Sequence, residues 1–213
     1  MMKRAETSKK KTRIQAVNQQ KILDAALTMF SQFGYRGTTL DQIAAQSDLS
    51  KPNVLYYFRG KQDIYIHLIQ QTLDQWLMPL EGLDPRGDPV EEILTYTVAK
   101  LEMSKQNPEA SRLFANEMLH GAPMVEEVLK GCLKSLVDRK SAVIQNWIDD
   151  GKIAKIDPYH LIFMIWATTQ HYADFDIQIK AILGTSYSPE KCFEDAQNTI
   201  RQILTNGLEV NQL

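Results

Sequence analysis

Proline and glycine are scarce in this chain of 213 residues, at 8 and 10, which argues against a turn-rich sandwich or a fibrous repeat. Cysteine is scarcer still. Cys132 and Cys192 lie sixty residues apart, so neither a disulfide framework nor a metal cluster can be read, and a reducing cytoplasm is the expected setting. The longest apolar run, Leu161 to Ala167, has seven residues where a membrane helix needs roughly 20, so no membrane partner is expected. Basic residues near the N-terminus are followed by no apolar stretch until Ile22, and that stretch is amphipathic, so it does not read as a signal peptide. A nucleophile motif, a phosphate-cradling glycine loop and His-Glu-x-x-His spacing are missing as well. The chain is therefore not expected to be an enzyme, or to carry a cofactor or a metal.

What is present is apolar sequence, 44% of the residues, enough for one large or two small domains with a buried core. The net charge of −2 hides an asymmetry: residues 1–61 hold eleven Lys and Arg against four acids, and the remainder holds 13 against 22. One end attracts polyanions while the rest repels them. For the tail by itself, with Lys3, Arg4, Lys9, Lys10, Lys11 and Arg13, a merely solvated charge run is an equal reading.

Apolar residues at three- and four-residue spacing predict nine helices and no sheet. The first runs from about Asn18 to Phe33 and stops at Gly34. Thr39 caps a short second helix with Leu40, Ile43 and Ala44 inward. Ser50 caps a third that has Pro52 in its first turn and ends near Phe58. A fourth, from Lys61, ends at Pro79; a loop follows from Gly82 to Pro89. Asp88, Asn107, Asp157 and Ser188, each followed by proline, start the fifth, sixth, eighth and ninth. The seventh is read as one long helix from Pro123 to Gly151, the eighth as unbroken to about Leu183.

Three short helices with a tight turn before the third describe a helix-turn-helix, whose last helix enters the major groove. Lys51 and Asn53 in its first turn suit guanine and adenine edges, with Tyr56 and Tyr57 one turn on. Thr38, Thr39 and Lys61 start neighbouring helices and are expected at phosphates, and Ser50 and Pro52 at the start of the third are counted among the DNA-binding positions. A generic three-helix bundle with a basic face is the plainer reading.

The run from Ile22 to Ile64 resembles the DNA-binding domain of the tetracycline-repressor (TetR) family. The likeness rests on Ala25-Ala26 with Phe30, Gly34-Tyr35, Thr39 before Ile43-Ala44, Ser50, and Phe58 before Lys61. Two positions depart from the pattern: Ser47-Asp48-Leu49 stands where the turn is usually Ala-Gly-Val, and Leu55 where a tyrosine is usual, which moves a phosphate-contacting hydroxyl to Tyr56 or Tyr57. The resemblance implies an all-α TetR-like fold with a basic tail over 1–17, a DNA-binding domain over 18–61 and a ligand-binding and dimerisation domain over 62–213. It also implies a homodimer on a palindromic double-stranded DNA operator.

Phe193, Ala196, Ile200, Ile203 and Leu204 form an apolar stripe on the ninth helix, and the eighth, with Phe163, is apolar nearly all round at its start. Both fit a dimer interface or an ordinary core. Further along the eighth helix a polar cluster follows, with Gln170, His171, Tyr172 and Asp174, and Trp166 one turn before Gln170. Such groups need partners, which a small-molecule pocket supplies. A satisfied His171–Asp174 pair is the plainer alternative, and Arg112, Asn116, Glu117 and His120 on the sixth helix are split likewise between packing and pocket.

The stretches Asn107 to Pro123 and Ile156 to Phe175 are similar to the pyrimidine-utilisation branch of that family, as is Leu55-Tyr56-Tyr57-Phe58. That implies uracil or thymine as the effector: Trp166 against the flat ring, Gln170 matching its C=O and N–H groups, and Trp76, Asn116, His171 and Tyr172 as weaker contacts. A drug, a fatty acyl group or another metabolite keeps the regulator and changes the ligand. The remote rivals are a helical enzyme built on His171 and Asp174 with Glu102 or Glu117, and a helical adaptor without DNA affinity.

Overall fold

The first helix, α1 (Arg13–Gly37), is longer at both ends than its apolar pattern predicts. The structure, a computed structural model, describes residues 13–210. Lys3, Arg4, Lys9, Lys10 and Lys11 lie outside them, and residues 13–17, expected in the tail, are helical. Gly34 does interrupt the helix, at φ 68 and ψ 173, a region essentially reserved for glycine. α2 (Leu40–Gln46) opens on a capping box in which Thr39 Oγ1 accepts from the Gln42 N–H and the Gln42 side chain accepts from the Thr39 N–H. The turn after it places Asp48 at φ 58, the left-handed conformation that glycine adopts more easily. Ser50 then caps α3 (Lys51–Tyr57), accepting from the Asn53 N–H.

Ile22, Ala26, Phe30, Ile43, Val54, Phe58 and Ile64 are buried together as the core of this part. Two compact units divide the chain, residues 1–68 and 69–213. The helix α4 (Lys61–Glu81) is continuous through that division and runs two residues past Pro79, where an end was expected. Proline deletes one helical N–H, but the last turn still closes through Gly82 N–H to Met78 O at 3.0 Å.

In the second unit, α5 (Pro89–Gln106) is capped by Asp88 and packs against α9 (Pro158–Asp174) and α11 (Pro189–Leu208). α6 (Pro108–Leu119) also lies on α9. The shared core includes Leu80, Ile93, Leu101, Ile144, Trp147, Leu161, Ile165, Ile200 and Leu204. Lys140 ties the loop after α4 to the bundle by donating to the Glu81 and Leu83 carbonyls.

Two predicted long helices are broken. The seventh becomes a single turn, α7 (Glu126–Val128), a π-helical turn at Leu129–Leu133 and α8 (Lys134–Asp149). The eighth ends at Asp174, and α10 (Asp176–Leu183) starts afresh after Phe175, which sits outside helical φ/ψ. Among the described residues there is no strand, and no helix is long and apolar enough to cross a membrane.

Candidate functional site

In the first unit, α3 presents Lys51, Pro52, Asn53 and Tyr56 as exposed side chains, while Val54 holds the helix to the core. Lys51 Nζ pairs with Asp41 Oδ2 at 2.9 Å, with both side chains largely solvated. Such an exposed pair contributes little and is readily exchanged for a base edge or a phosphate. Tyr57 OH accepts from Asn18 Nδ2 at 3.1 Å and Tyr56 OH from Gln15 Nε2 at 3.3 Å. The two phenols stand edge to face, 5.1 Å between centroids, so α1 orients both hydroxyls expected at phosphates.

Two expected phosphate contacts are spent inside the protein. Thr38 is fully buried, its hydroxyl donating to the Met29 and Gly34 carbonyls. Lys61 Nζ donates to the Tyr35 and Thr38 carbonyls at 2.6 and 2.7 Å and sits 4.4 Å from the Tyr35 ring centroid. The ammonium thereby satisfies two carbonyls at the end of α1 and just after it. Thr39 is exposed but serves as the cap of α2, as Ser50 does for α3.

In the second unit, Trp166 donates its indole N–H to Tyr96 OH at 2.5 Å. With that N–H occupied, what Trp166 offers a ligand is ring surface. Burial pushes the Tyr96 phenol up, against the opposing effect of the Trp166 bond. One turn beyond Tyr96 on α5, Lys100 is 2% exposed and its ammonium lies 4.1 Å from the Trp76 ring centroid. Trp76 is buried against Phe114. On α9, Trp166, Gln170 and Asp174 follow at four-residue spacing and share a face. Asp174 Oδ1 accepts from Ser111 Oγ at 2.6 Å, and Arg112 Nη1 donates to the Ala173 carbonyl. Desolvation raises the Asp174 carboxyl, while the Ser111 bond, Arg112, Lys100 and His171 pull it down. The Gln170 amide is half-buried, and no hydrogen bond engages it among the described residues.

The other expected ligand contacts are scattered. His171 is exposed and stacks on Phe175 at 4.9 Å rather than bonding Asp174, so neither the structural pair nor the catalytic dyad read from these two residues forms. Tyr172 leans on Phe193 at 5.8 Å, on another face of α9. Asn116 is exposed. Lys100, Tyr96, Ser111 and Arg112 join Trp166 and Gln170 only through the fold; of these, Arg112 alone stood out in the sequence.

The stripe expected at a dimer interface splits. Ala196, Ile200 and Leu204 are buried in the chain's own core and Phe193 packs at its edge, because α11 lies along α5. Phe163 and Ile203 stay 47% and 60% exposed.

Comparison with known proteins agrees with this division. The profile of bacterial regulatory proteins of the tetR family matches residues 22–68, and that of the YcdC-like protein C-terminal region matches 69–211. The HTH-type transcriptional regulator RutR of Escherichia coli O157:H7 is 47% identical over 95% of each chain; that of strain K12 is 46% identical over the same share. A TetR-like transcriptional regulator from Rhodococcus superposes over 93% of this chain and 98% of its own, with TM-score 0.66 and 20% identity. The fatty acid degradation regulator FadR from Bacillus halodurans does so over 92% and 96%, with TM-score 0.65 and 19% identity. With reader, helical second unit and relatives in agreement along nearly the whole chain, it belongs to the TetR family of bacterial transcriptional regulators.

Proposed function

We propose that the chain is a homodimeric, cytoplasmic repressor that grips a palindromic operator with α3 of each subunit and senses a pyrimidine dione such as uracil or thymine. Lys51 and Asn53 read base edges, and the hydroxyls of Tyr56 and Tyr57 with the starts of α2 and α3 hold phosphates. Phe163 and Ile203, left uncovered in the protomer, supply the dimer contact. The observation that carries the effector reading is the Gln170 amide, unengaged one turn from an indole whose N–H is already bonded. A planar ring with adjacent C=O and N–H groups uses both: ring surface on Trp166 and paired hydrogen bonds on Gln170. A fatty acyl chain leaves the Gln170 amide unpaired, and Asp174 one turn away disfavours one. Trp76 contributes wall.

Because α4 is one continuous helix from Lys61 to Glu81, a ligand that bears on Trp76 acts on the helix that also carries Lys61. Coupling of about 1 to 3 kcal/mol, or 5- to 150-fold, makes a switch of this. Calorimetric titration with uracil and thymine tests the ligand, and absence of heat at millimolar concentration defeats it. Operator affinity with and without saturating effector tests the coupling; an unchanged affinity refutes the α4 route.

A further inference from the structure

Three charged side chains are buried in the second unit among the described residues: Lys100, Glu117 and Lys140. Glu117 accepts from the Met124 N–H and Lys140 donates to two carbonyls. Lys100 has no hydrogen-bonded partner and no carboxylate within 4.0 Å. Asp174 acts on it only through space and is already bonded to Ser111. Nor is the ammonium sealed in. Ser141 Oγ is the one side-chain polar atom that is both fully enclosed and unpartnered among the described residues, so Lys100 Nζ opens onto space that admits a water-sized atom. An ammonium in that state carries an unmet demand for an acceptor.

The helices say which acceptor meets it. Tyr96 and Lys100 are one turn apart on α5; Tyr96 is bonded to Trp166, and Lys100 is coupled to Asp174. Gln170 stands one turn from each of those two residues on α9, so Lys100 and the unengaged Gln170 amide lie on facing stretches of α5 and α9. We propose that Lys100 is the oxygen-reading residue of the effector site, donating a hydrogen bond to a ring carbonyl or ring-borne anionic oxygen of a planar ligand whose neighbouring groups pair with Gln170. The ligand class here rests on the pyrimidine reading; the role of Lys100 does not.

The test is calorimetry with uracil on the wild type and Lys100→Met, repeated with pyrimidin-2-one and pyrimidin-4-one, each of which lacks one of the two oxygens. Expected are uracil binding about 10- to 100-fold weaker in the variant, a melting temperature no lower than the wild type's, and one mono-oxo compound bound equally by both proteins. Unchanged uracil affinity in K100M overturns the assignment and leaves the pyrimidine reading standing. An equal loss for uracil and both analogues reduces Lys100 to packing and overturns it too. If the wild type binds no pyrimidine but binds nicotinate or benzoate through Lys100, the pyrimidine reading falls and the oxygen-reading role stands. If no ring compound binds, both fall.

Discussion

At Lys100, burial holds the ammonium down to about 7, against an ordinary 10.5, with Asp174 opposing the shift. Between those values the unfolded chain keeps a proton that the folded chain has released, so stability rises with pH across that window, and the cost of burying the charge is fully present below it. Asp174 on α9 acts on Lys100 through space, and the ring of Trp76 on α4 lies 4.1 Å from its ammonium. From pH 7 to pH 9, the melting temperature of the wild type is expected to climb relative to that of Lys100→Met; parallel profiles count against the buried charge. At Lys51 the expected effect is on recognition instead. Lys51→Ala is expected to cost about 1 to 3 kcal/mol of operator binding and to relax the preference at one base pair per half-site, read by selection of bound DNA from random fragments. Stability should stay nearly as it was, since only the exposed Asp41 pair is lost. The sequence marks Lys51 by its place in the first turn of a recognition helix, but nothing in it shows that Lys100 turns inward, since a long aliphatic stem suits either setting.

Among the elements, those bounded by a local signal were the legible ones. Thr39, Ser50, Asp88, Asp157 and Ser188 each cap the helix whose start they marked, a side-chain oxygen finding the N–H three residues on; Asn107 marks the start of α6 but makes no side-chain cap bond. Gly34 also breaks α1 where its type suggested, and its φ of 68 with ψ 173 has no low-energy counterpart for other residues. Gly34→Ala is expected to destabilise the protein by about 1 to 3 kcal/mol, although a Cβ there would meet no atom within 4 Å. Chemical denaturation measures it; a loss close to zero means that the turn relaxes freely. The π-helical turn at Leu129–Leu133 holds Gly131, which the apolar pattern passed over, and the break at Phe175 lacked any such marker. No glycine or proline stands at Phe175, and the chain leaves the helix there with Asp174 anchored to Ser111 and Arg112 bonded to the Ala173 carbonyl, contacts more than 60 residues apart in sequence.

For the whole molecule, the open question of pattern is which apolar residues face the chain's own core and which face a second copy. Ile200 and Leu204 are 9% and 3% exposed, and Ile203 between them is 60% exposed. Phe163→Glu with Ile203→Glu is expected to leave a folded monomer of 24.4 kDa by sedimentation and to weaken operator binding, because two half-sites are no longer held by one particle. A dimer that persists moves the interface elsewhere. Ile200→Ala is expected instead to cost about 2 to 5 kcal/mol of stability as a core truncation. The sequence alone determined the helical class, the capped starts, the charge division and the reader, since each follows from residues within a turn or two of one another. Only the tertiary structure decided that Thr38 and Lys61 are internal struts, that Tyr96 takes the Trp166 N–H, and that Lys100 lies unbonded against the Trp76 ring. Those facts depend on how α4, α5, α6 and α9 pack, and in the first unit on how the start of α4 meets the turn after α1. Periodicity names the face a residue occupies, not what the fold sets opposite it.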